Sequence, residues 1–409
     1  MTVYTPTYRV TIAGTVQTST TLEDATITYG RNDFFEATQP SYCNLELLNL
    51  DGTSPAIELL DTIVIEVTDS TGSYVKLFTG EVSGVYNTFA GAGAVGKPNT
   101  LQIQAVGALG LLVKRYAGSV AYPEELDGAR ITRILEETLY VAWEDISNTQ
   151  TWNDFTTETW ANYGVQGIDT IDAGRYEVLA RPAEIDQAYN LTDTTQLSAL
   201  GYLYDTPDFE IGYADAERRS ENYATNLIEL DANLVNADIQ TRLQTADIVN
   251  SVVIQYDDPV LEVGAQNDTS INTYGLLQEV RPTILAQTAD ATEQATNFVN
   301  YRGTPKVSLE EVTVNLSNSN MTNTVRDNLL GVSMDTLLYL DNIPIGLIAE
   351  GYNEGFVEGW TWTLGRNNLE LAMSVSNSIY STLDVQWEDY NASIQWQNLA
   401  NDYRWLDVI

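Results

Sequence analysis

The sequence predicts a mainly β protein with an α+β insert, in which two small barrel- or sandwich-like modules flank a mixed domain. Three observations carry this. Short segments that alternate apolar and polar residues, rich in Val, Ile, Thr and Tyr, fill the first 115 positions. Between 116 and 245 helical periodicity joins alternation, so that region reads as mixed α+β. Alternating segments then return from Asn250, and several echo the first set. At 409 residues with 44% hydrophobic content, the chain can hold about two to four domains, each with its own core.

In order, the predicted strands of the first module (1–115) are "YRVTIAGTV" (8–16), "ATITYG" (25–30), "CNLELLNL" (43–50), "DTIVIEV" (61–67), "VKLFTGEVSGVY" (75–86) and "TLQIQAV" (100–106). Turn chemistry separates them at Asp51-Gly52, at "DSTG" (69–72) and in the loop 90–99. In the insert (116–245), "DGARITRILEETLYV" predicts a helix with Asp127 as N-cap and Ile131, Ile134, Leu135 and Leu139 on one face. "TDTTQLSALGYLYDTPDFEIGY" predicts a capped helix from Asp193 running into a hairpin around Pro207-Asp208. "NYATNLIELDANLVNADIQTRL" stays open between helix and strand. The second module (246–380) reads as the strand "SVVIQYDD", an Ala-rich helix "TADATEQATNFVNYR" and the strand "VSLEEVTVNL", followed by the echo. There "DTIVIEV", "LFTGEV" (77–82) and "TLQIQAV" find counterparts in "DTLLYL" (335–340), "LIAEGY" (347–352) and "NLELAMSV" (368–375), which suggests internal duplication. A tail, 381–409, completes the chain.

Nineteen basic against fifty-seven acidic residues give a net charge of −38, with four lysines and no histidine. Such a surface repels nucleic acid and anionic membranes. It suits either a well-solvated exterior or a channel wall along which DNA slides without sticking. The absence of histidine excludes a Ser-His-Asp triad and any imidazole-ligated metal. Cys43, the only cysteine, rules out an internal disulfide framework and reads as a small core residue. Acid pairs such as Glu136/Glu137 and Glu310/Glu311 carry no information among so many carboxylates. "GAGAVGK" (91–97) matches a phosphate-loop spacing, but a strand rather than a helix follows it, so it reads as a hairpin loop. Acid-rich "DTPDFEIGYADAE" (205–217) lacks the spacing of a calcium loop. These readings predict no enzyme, no cofactor and no dedicated metal site. The longest apolar run, "AVGALGLLV" (105–113), is too short to span a bilayer, and "MTVYTPTYRV" lacks the basic and apolar regions of an export signal, so neither a membrane segment nor secretion is expected.

Six of the eight tryptophans fall in two runs: Trp143, Trp152 and Trp160 in "AWEDISNTQTWNDFTTETWANY", and Trp387, Trp396 and Trp405 in "VQWEDYNASIQWQNLANDYRWLDVI". In all six phrases an Asp or Asn lies two places after the ring, joining a large apolar surface to a residue that closes Asx-turns. Three uses stay open: docking on the chain's own domains, anchoring to a neighbouring subunit or partner, and stacking on sugar rings. Trp360 and Trp362 in "GWTWTL" alternate along one strand and read as core.

Taken in order, several stretches resemble the tail hub (baseplate hub or minor tail) proteins of tailed bacteriophages and related archaeal tailed viruses. These are "TLEDATITYGRNDFFEATQPSYCNLELLNLDG" with "DTIVIEVTD" and "LFTGEVSGV", then "TQLSALGYLYDTPDFEIGY", then "INTYGLLQEVRPTILAQTADATEQATNFVNYRGTPKVSLEEVTVNL", and finally "VEGWTWTLGRNNLELAMSVS". The order persuades rather than any one motif, and the region 143–190 has no counterpart. The resemblance implies a non-enzymatic homotrimer whose two tube-like β-modules per subunit make a pseudo-sixfold ring. Such a ring adapts the tail tube and distal tail protein to a threefold tip and passes the genome through an acidic channel without binding it specifically. It implies a virion protein at the tail tip, assembled in the host cytoplasm. Its partners are the distal tail protein, tail tube, tape measure and a tip fibre or receptor-binding protein, with the Trp phrases as anchors. The alternatives are a glycan-binding tail adhesin or carboxylate-based cell-wall hydrolase, and a hexameric distal tail protein.

Overall fold

In the computed structural model the described residues are 4–18, 20–49, 56–89, 99–139, 167–223, 225–236, 239, 241–242, 245–305, 308–309, 311–343 and 353–378. The chain opens with β1 (Tyr8–Ile12), β2 (Thr15–Val16), β3 (Thr20–Gly30), β4 (Gln39–Asn49), β5 (Thr62–Thr68), β6 (Tyr74–Phe89) and β7 (Asn99–Val106). A mixed stretch follows: helix Leu109–Lys114, β8 (Tyr116–Ala117), β9 (Glu125–Leu126), helix Asp127–Leu139, β10 (Ile168–Ile171), β11 (Glu177–Val178), β12 (Asp186–Gln187), helix Ala188–Ala199, β13 (Tyr202–Asp205), β14 (Ile211–Ala214) and the helical turn Arg218–Glu221. Next come β15 (Leu227–Asp231), β16 (Thr241–Arg242), β17 (Ser251–Tyr256), β18 (Leu261–Gln266), helix Asp268–Tyr274, β19 (Gln278–Pro282) and helix Thr288–Arg302. The last are β20 (Ser308–Leu309), β21 (Glu311–Asn315), helix Asn323–Leu330, β22 (Leu337–Asp341), β23 (Glu354–Gly365) and β24 (Asn368–Asn377).

Twelve strands form one sheet in the order β15-β22-β23-β3-β4-β7-β6-β5-β1-β2, with β24 beside β23 and β21 beside β24. Alternation decides which residues face the core. In β24, Leu369, Leu371, Met373 and Val375 are buried while Glu370, Ala372 and Ser374 between them are not. In β3, Ala25, Ile27 and Tyr29 point inward. Both ends of the chain feed one apolar cluster, which runs from Val10, Ile27, Cys43 and Phe78 to Leu340, Trp362 and Leu371. Among the described residues two smaller cores serve most of the rest, and Tyr223, Leu337 and Phe356 form a minor cluster. The helix Thr288–Arg302 lays Ala291, Ala295, Phe298 and Val299 on Val252, Ile254 and Tyr256 of β17, and helices Asp127–Leu139 and Ala188–Ala199 share another core with the β13–β14 hairpin.

The echo seen in the sequence is present as repeated strand pairing. In β5–β6, Thr62↔Glu81, Ile63↔Gly80 and Val64↔Thr79 are partners; in β22–β23 the partners are Leu337↔Phe356, Leu338↔Gly355 and Tyr339↔Glu354. Likewise Leu45↔Ile103 and Leu47↔Leu101 of β4–β7 recur as Val312↔Met373 and Val314↔Leu371 of β21–β24. Val82↔Ala105 and Gly84↔Gln104 of β6–β7 recur as Val357↔Val375 and Gly359↔Ser374 of β23–β24, each pair flanking a bulge. Even β3 has a counterpart: Leu22↔Leu47 and Thr28↔Tyr42 recur as Val235↔Val314 and Thr241↔Leu309.

Four readings of the sequence need correction. By register the counterpart of "TGEV" (79–82) in "LFTGEV" is 354–357, five residues further on than "LIAEGY" (347–352) implies; "LIAEGY" itself lies outside the described residues, and composition alone does not count the bulges in these strands. The segment 8–16 is two strands, reversed at Ala13 and Gly14, both at positive φ. The helix expected from Asp193 starts at Ala188, so Asp193 lies within it and accepts a hydrogen bond from Gln196 Nε2. Asp127 does not flank its helix as a cap. It is the first helical residue, and its carboxylate accepts from Tyr213 Oη at 2.6 Å and from the Tyr176 N–H at 2.8 Å. The ambiguous segment 222–243 contributes β15 and β16.

Candidate functional site

Residues paired across antiparallel strands share a face, so the registers trace rows across the large sheet. One row runs Asn315–Glu370–Thr363–Thr26–Asn44–Gln104–Gly84 through β21, β24, β23, β3, β4, β7 and β6. The next runs Thr313–Ala372–Thr361–Thr28–Tyr42–Val106–Glu81. A shorter third row is Asp24–Glu46–Gln102–Tyr86. No lysine or arginine occurs in these rows. Their charges are all carboxylates (Glu370, Glu81, Asp24, Glu46), set among hydroxyls and amides. The face is therefore a continuous polar to acidic surface spanning both strand sets.

What makes it continuous is the β3–β23 joint. Gly359↔Gly30, Trp360↔Tyr29 and Thr361↔Thr28 are partners. On the buried side Tyr29 stacks on Trp360 with ring centroids 4.9 Å apart, an interaction of about 0.5–1.5 kcal/mol beyond area burial. On the polar side the hydroxyls of Thr28 and Thr361 lie 3.3 Å apart. Backbones approach too closely here for any Cβ: one added at Gly30 would lie 2.3 Å from Glu358 O, and one at Gly359 would lie 2.5 Å from Arg31 O.

Beside the glycines sits a buried ionic group. The bulge in β23 falls at Glu358, which turns its fully buried side chain inward. Arg31 Nε reaches Glu358 Oε2 at 2.7 Å and Arg219 Nη1 reaches Oε1 at 2.6 Å, while the Ser376 hydroxyl donates to the same carboxylate. Arg219 Nη2 also donates to Met334 O at 2.8 Å, and its guanidinium lies 4.7 Å from the Tyr202 ring centroid. Burial opposes ionisation of Glu358, but the two guanidinium charges and the donated hydrogen bonds outweigh it and hold the carboxyl at about 2. The cluster ties three parts of the chain together: the end of β3, the β23 bulge and the helical turn of the insert.

Asp205 performs a similar task on the neighbouring strand. Its carboxylate accepts from Ser41 N at 2.8 Å, Ser41 Oγ at 2.6 Å and Leu109 N at 2.6 Å, pinning the β13–β14 hairpin to β4 and to the first helix. Burial raises its carboxyl to about 6 despite these donors, and burial does the same to Asp127.

The six candidate anchors Trp143, Trp152, Trp160, Trp387, Trp396 and Trp405, together with "GAGAVGK" and Asp51-Gly52, lie outside the described residues. Trp360 and Trp362 are buried in β23 and Cys43 in β4, as their alternation indicates. Glu137 accepts from Ser119 and Tyr122 and is structural. Among the described residues no group of three Cys, Asp or Glu side chains is placed to hold a metal, and no helix is long and apolar enough to cross a membrane. Gly30 and Arg31 enter the sequence reading only as the "GR" of the stretch that resembles the tail hub proteins, and Glu358, Arg219 and Gly359 are not singled out by it as site residues. The shared Val-x-Gly of "EVSGV" (81–85) and "FVEGW" (356–360) was the signal that could have found the bulge and its glycine.

No protein-family model matches the chain, and no curated protein matches it in sequence. Solved structures do. The 43 kDa tail protein of prophage MuSo2 from Shewanella oneidensis superposes with a TM-score of 0.55 at 13% identity, over 91% of this chain and 99% of that one. The tail protein from Neisseria meningitidis MC58 superposes with a TM-score of 0.56 at 12% identity, over 92% and 98%. The chain thus shares, over nearly its whole length, a fold found in phage tail proteins.

Proposed function

We propose that this chain is a structural, non-enzymatic hub of a viral tail, working as a homotrimer in which two like modules per subunit make a ring of six. The observation that carries the reading is the repeated pairing. β4–β7–β6–β5 and β21–β24–β23–β22 have the same strand order and the same registers, down to a bulge before Gly84 and one before Gly359. A closed ring of identical contacts built from such pairs needs three chains to offer six equivalents. The tail-protein fold of the two solved structures supports the setting. The modules of this proposal are 1–115 and 246–380, with 227–242 joined to the second because β15 and β16 pair with its strands; 116–245 is otherwise the insert and 381–409 the tail.

In this reading the polar face lines a channel. The traced rows of that face carry carboxylates and no lysine or arginine, and the net charge is −38, so DNA phosphates are repelled and the genome passes without being held. The ring matches the sixfold tail tube and distal tail protein on one side and a threefold tip on the other, with the tape measure inside. Trp143, Trp152, Trp160, Trp387, Trp396 and Trp405 anchor neighbouring components, among them a fibre or receptor-binding protein, at the tail tip of a virion assembled in the host cytoplasm.

Native mass spectrometry and negative-stain electron microscopy of the purified chain test this. A three-chain ring with threefold symmetry is expected. A six-chain ring identifies a distal tail protein instead, and a chain that stays single at high concentration overturns the hub. Replacing Trp387, Trp396 and Trp405 by Ala leaves the ring intact and abolishes capture of the next tail component. Loss of binding on a glycan array from that variant, with capture retained, would favour an adhesin.

A further inference from the structure

The repeated registers leave one contact made once within the chain and once unmade. In the second strand set, β22 covers the first residues of β23 and β3 covers the rest of the same edge, from Gly359 to Gly365. In the first set, β5 covers β6 only to Glu81, with Val82 still bonded to Leu60 and Asp61. Among the described residues no strand continues along that edge past Val82. The residues equivalent to β3 in the second set are Val235 and those of β16, and among the described residues their outer edge is likewise unpaired.

We infer that a second copy of this chain completes the contact: the edge of β6 at Gly84–Tyr86 accepts β16 of the neighbouring subunit, in the register that β23 and β3 use within the chain. Because Gly84 corresponds to Gly359 and Thr241 to Thr28, the Thr28↔Thr361 partnership becomes Thr241↔Tyr86 between subunits. This inference rests on the hub reading and names its interface.

A second observation points the same way. Gly84 sits inside a strand, where glycine is unfavourable unless another backbone comes close. Its φ is not in the left-handed region, and a Cβ there would meet only the flexible Gln104 side chain at 3.2 Å and the Tyr86 ring at 3.4 Å. Nothing among the described residues of the subunit demands a glycine there. At the equivalent Gly359, the demand comes from the β3 backbone. A neighbouring backbone on β6 supplies the same demand. The edge is also exposed: Thr241 is on the surface and Tyr86, 56% accessible, is a large ring lying open to solvent. Each subunit would then offer one donor edge and one acceptor edge, a head-to-tail contact that closes when three internal and three intersubunit joints alternate around the axis.

Cysteine cross-linking tests the register, and the native background is silent because Cys43 is buried with its thiol pushed well above its ordinary value by burial. Tyr86→Cys/Thr241→Cys is oxidised and run on non-reducing gels beside Tyr86→Cys/Val235→Cys, whose partner lies six residues earlier in the chain. The proposal expects cross-linking to a three-chain species and no further, with at least tenfold less from the control pair. Gly84→Ala is expected to keep the circular dichroism spectrum and melting temperature of the single subunit while losing most of the three-chain species by mass photometry. A three-chain ring that neither cross-links through this pair nor responds to Gly84→Ala overturns the edge pairing and leaves the hub standing. Cross-links that extend beyond three chains keep the pairing and overturn closure at three. A chain that never associates overturns both.

Discussion

Replacing Glu358 by Gln keeps the volume and shape of the side chain and removes only its charge. Arg31 and Arg219, whose side chains are 3% and 2% exposed, then face a neutral amide in a site that water does not reach. Removing one member of a buried ionic group typically costs about 3–5 kcal/mol, because the remaining charges stay desolvated without compensation. The depressed carboxyl of Glu358 points the same way. Holding the carboxyl at about 2 rather than its ordinary 4.5 corresponds to about 3 kcal/mol favouring the folded state. Since the folded value is depressed, this contribution is complete above 4.5 and is lost as pH falls towards about 2. Urea denaturation followed by circular dichroism should therefore show Glu358→Gln about 3 kcal/mol less stable than the parent at pH 7. With a slope of about 3 kcal/mol per molar, the midpoint falls by about 1 M. The gap should narrow steadily below pH 4.5 and nearly vanish near pH 2. A loss under about 1 kcal/mol at pH 7, or one that does not change on acidification, would refute the electrostatic account of the joint.

Other outcomes follow from the same contacts. Gly30→Ala places a Cβ against the backbone of Glu358 at a positive φ, and should cost more than about 2 kcal/mol by denaturation, against near-neutrality for Gly84→Ala in the single subunit. Asp205 has a folded value raised from 3.8 to about 6, so its favourable contribution is present below 3.8 and is lost as pH rises through about 6. Melting temperatures between pH 4.5 and 7.5 should fall less steeply in Asp205→Asn than in the parent, and equal slopes would contradict the assignment. Trp362→Ala, which empties a fully buried ring site in β23, should lower stability by about 3–5 kcal/mol in the same denaturation assay.

Much of the strand content was legible from the sequence because alternation directly encodes a half-buried sheet. The helix Thr288–Arg302 was legible to the residue, since its small apolar positions recur at helical spacing. Pairing between distant strands was not. β3 and β23 are each ordinary alternating segments, and nothing in either says that Thr28 will lie beside Thr361, 333 positions away. The joint residues were hidden for the same reason. Glu358 is one of fifty-seven acids, and only the bulge that turns it inward distinguishes it. Gly30 and Gly359 become interpretable when their backbones are known to touch. The echo is legible, yet composition sets its middle member five residues off, because it aligns apolar runs and cannot count a bulge.

The β3–β23 joint also sets an order of events during synthesis. At about 5–20 residues per second, the ribosome needs roughly 20–70 s between releasing β3 and releasing the strand that will cover its edge. For that interval a nearly finished sheet presents a bare row of amides and carbonyls in a cell where sibling chains are growing on the same message. The partner that β3 eventually takes is chemically indistinguishable in a sibling, so crowded translation favours exchange of β3 between chains. Slower initiation, or spacing of ribosomes along the message, should raise the yield of correctly closed subunits without altering a single contact in the finished protein.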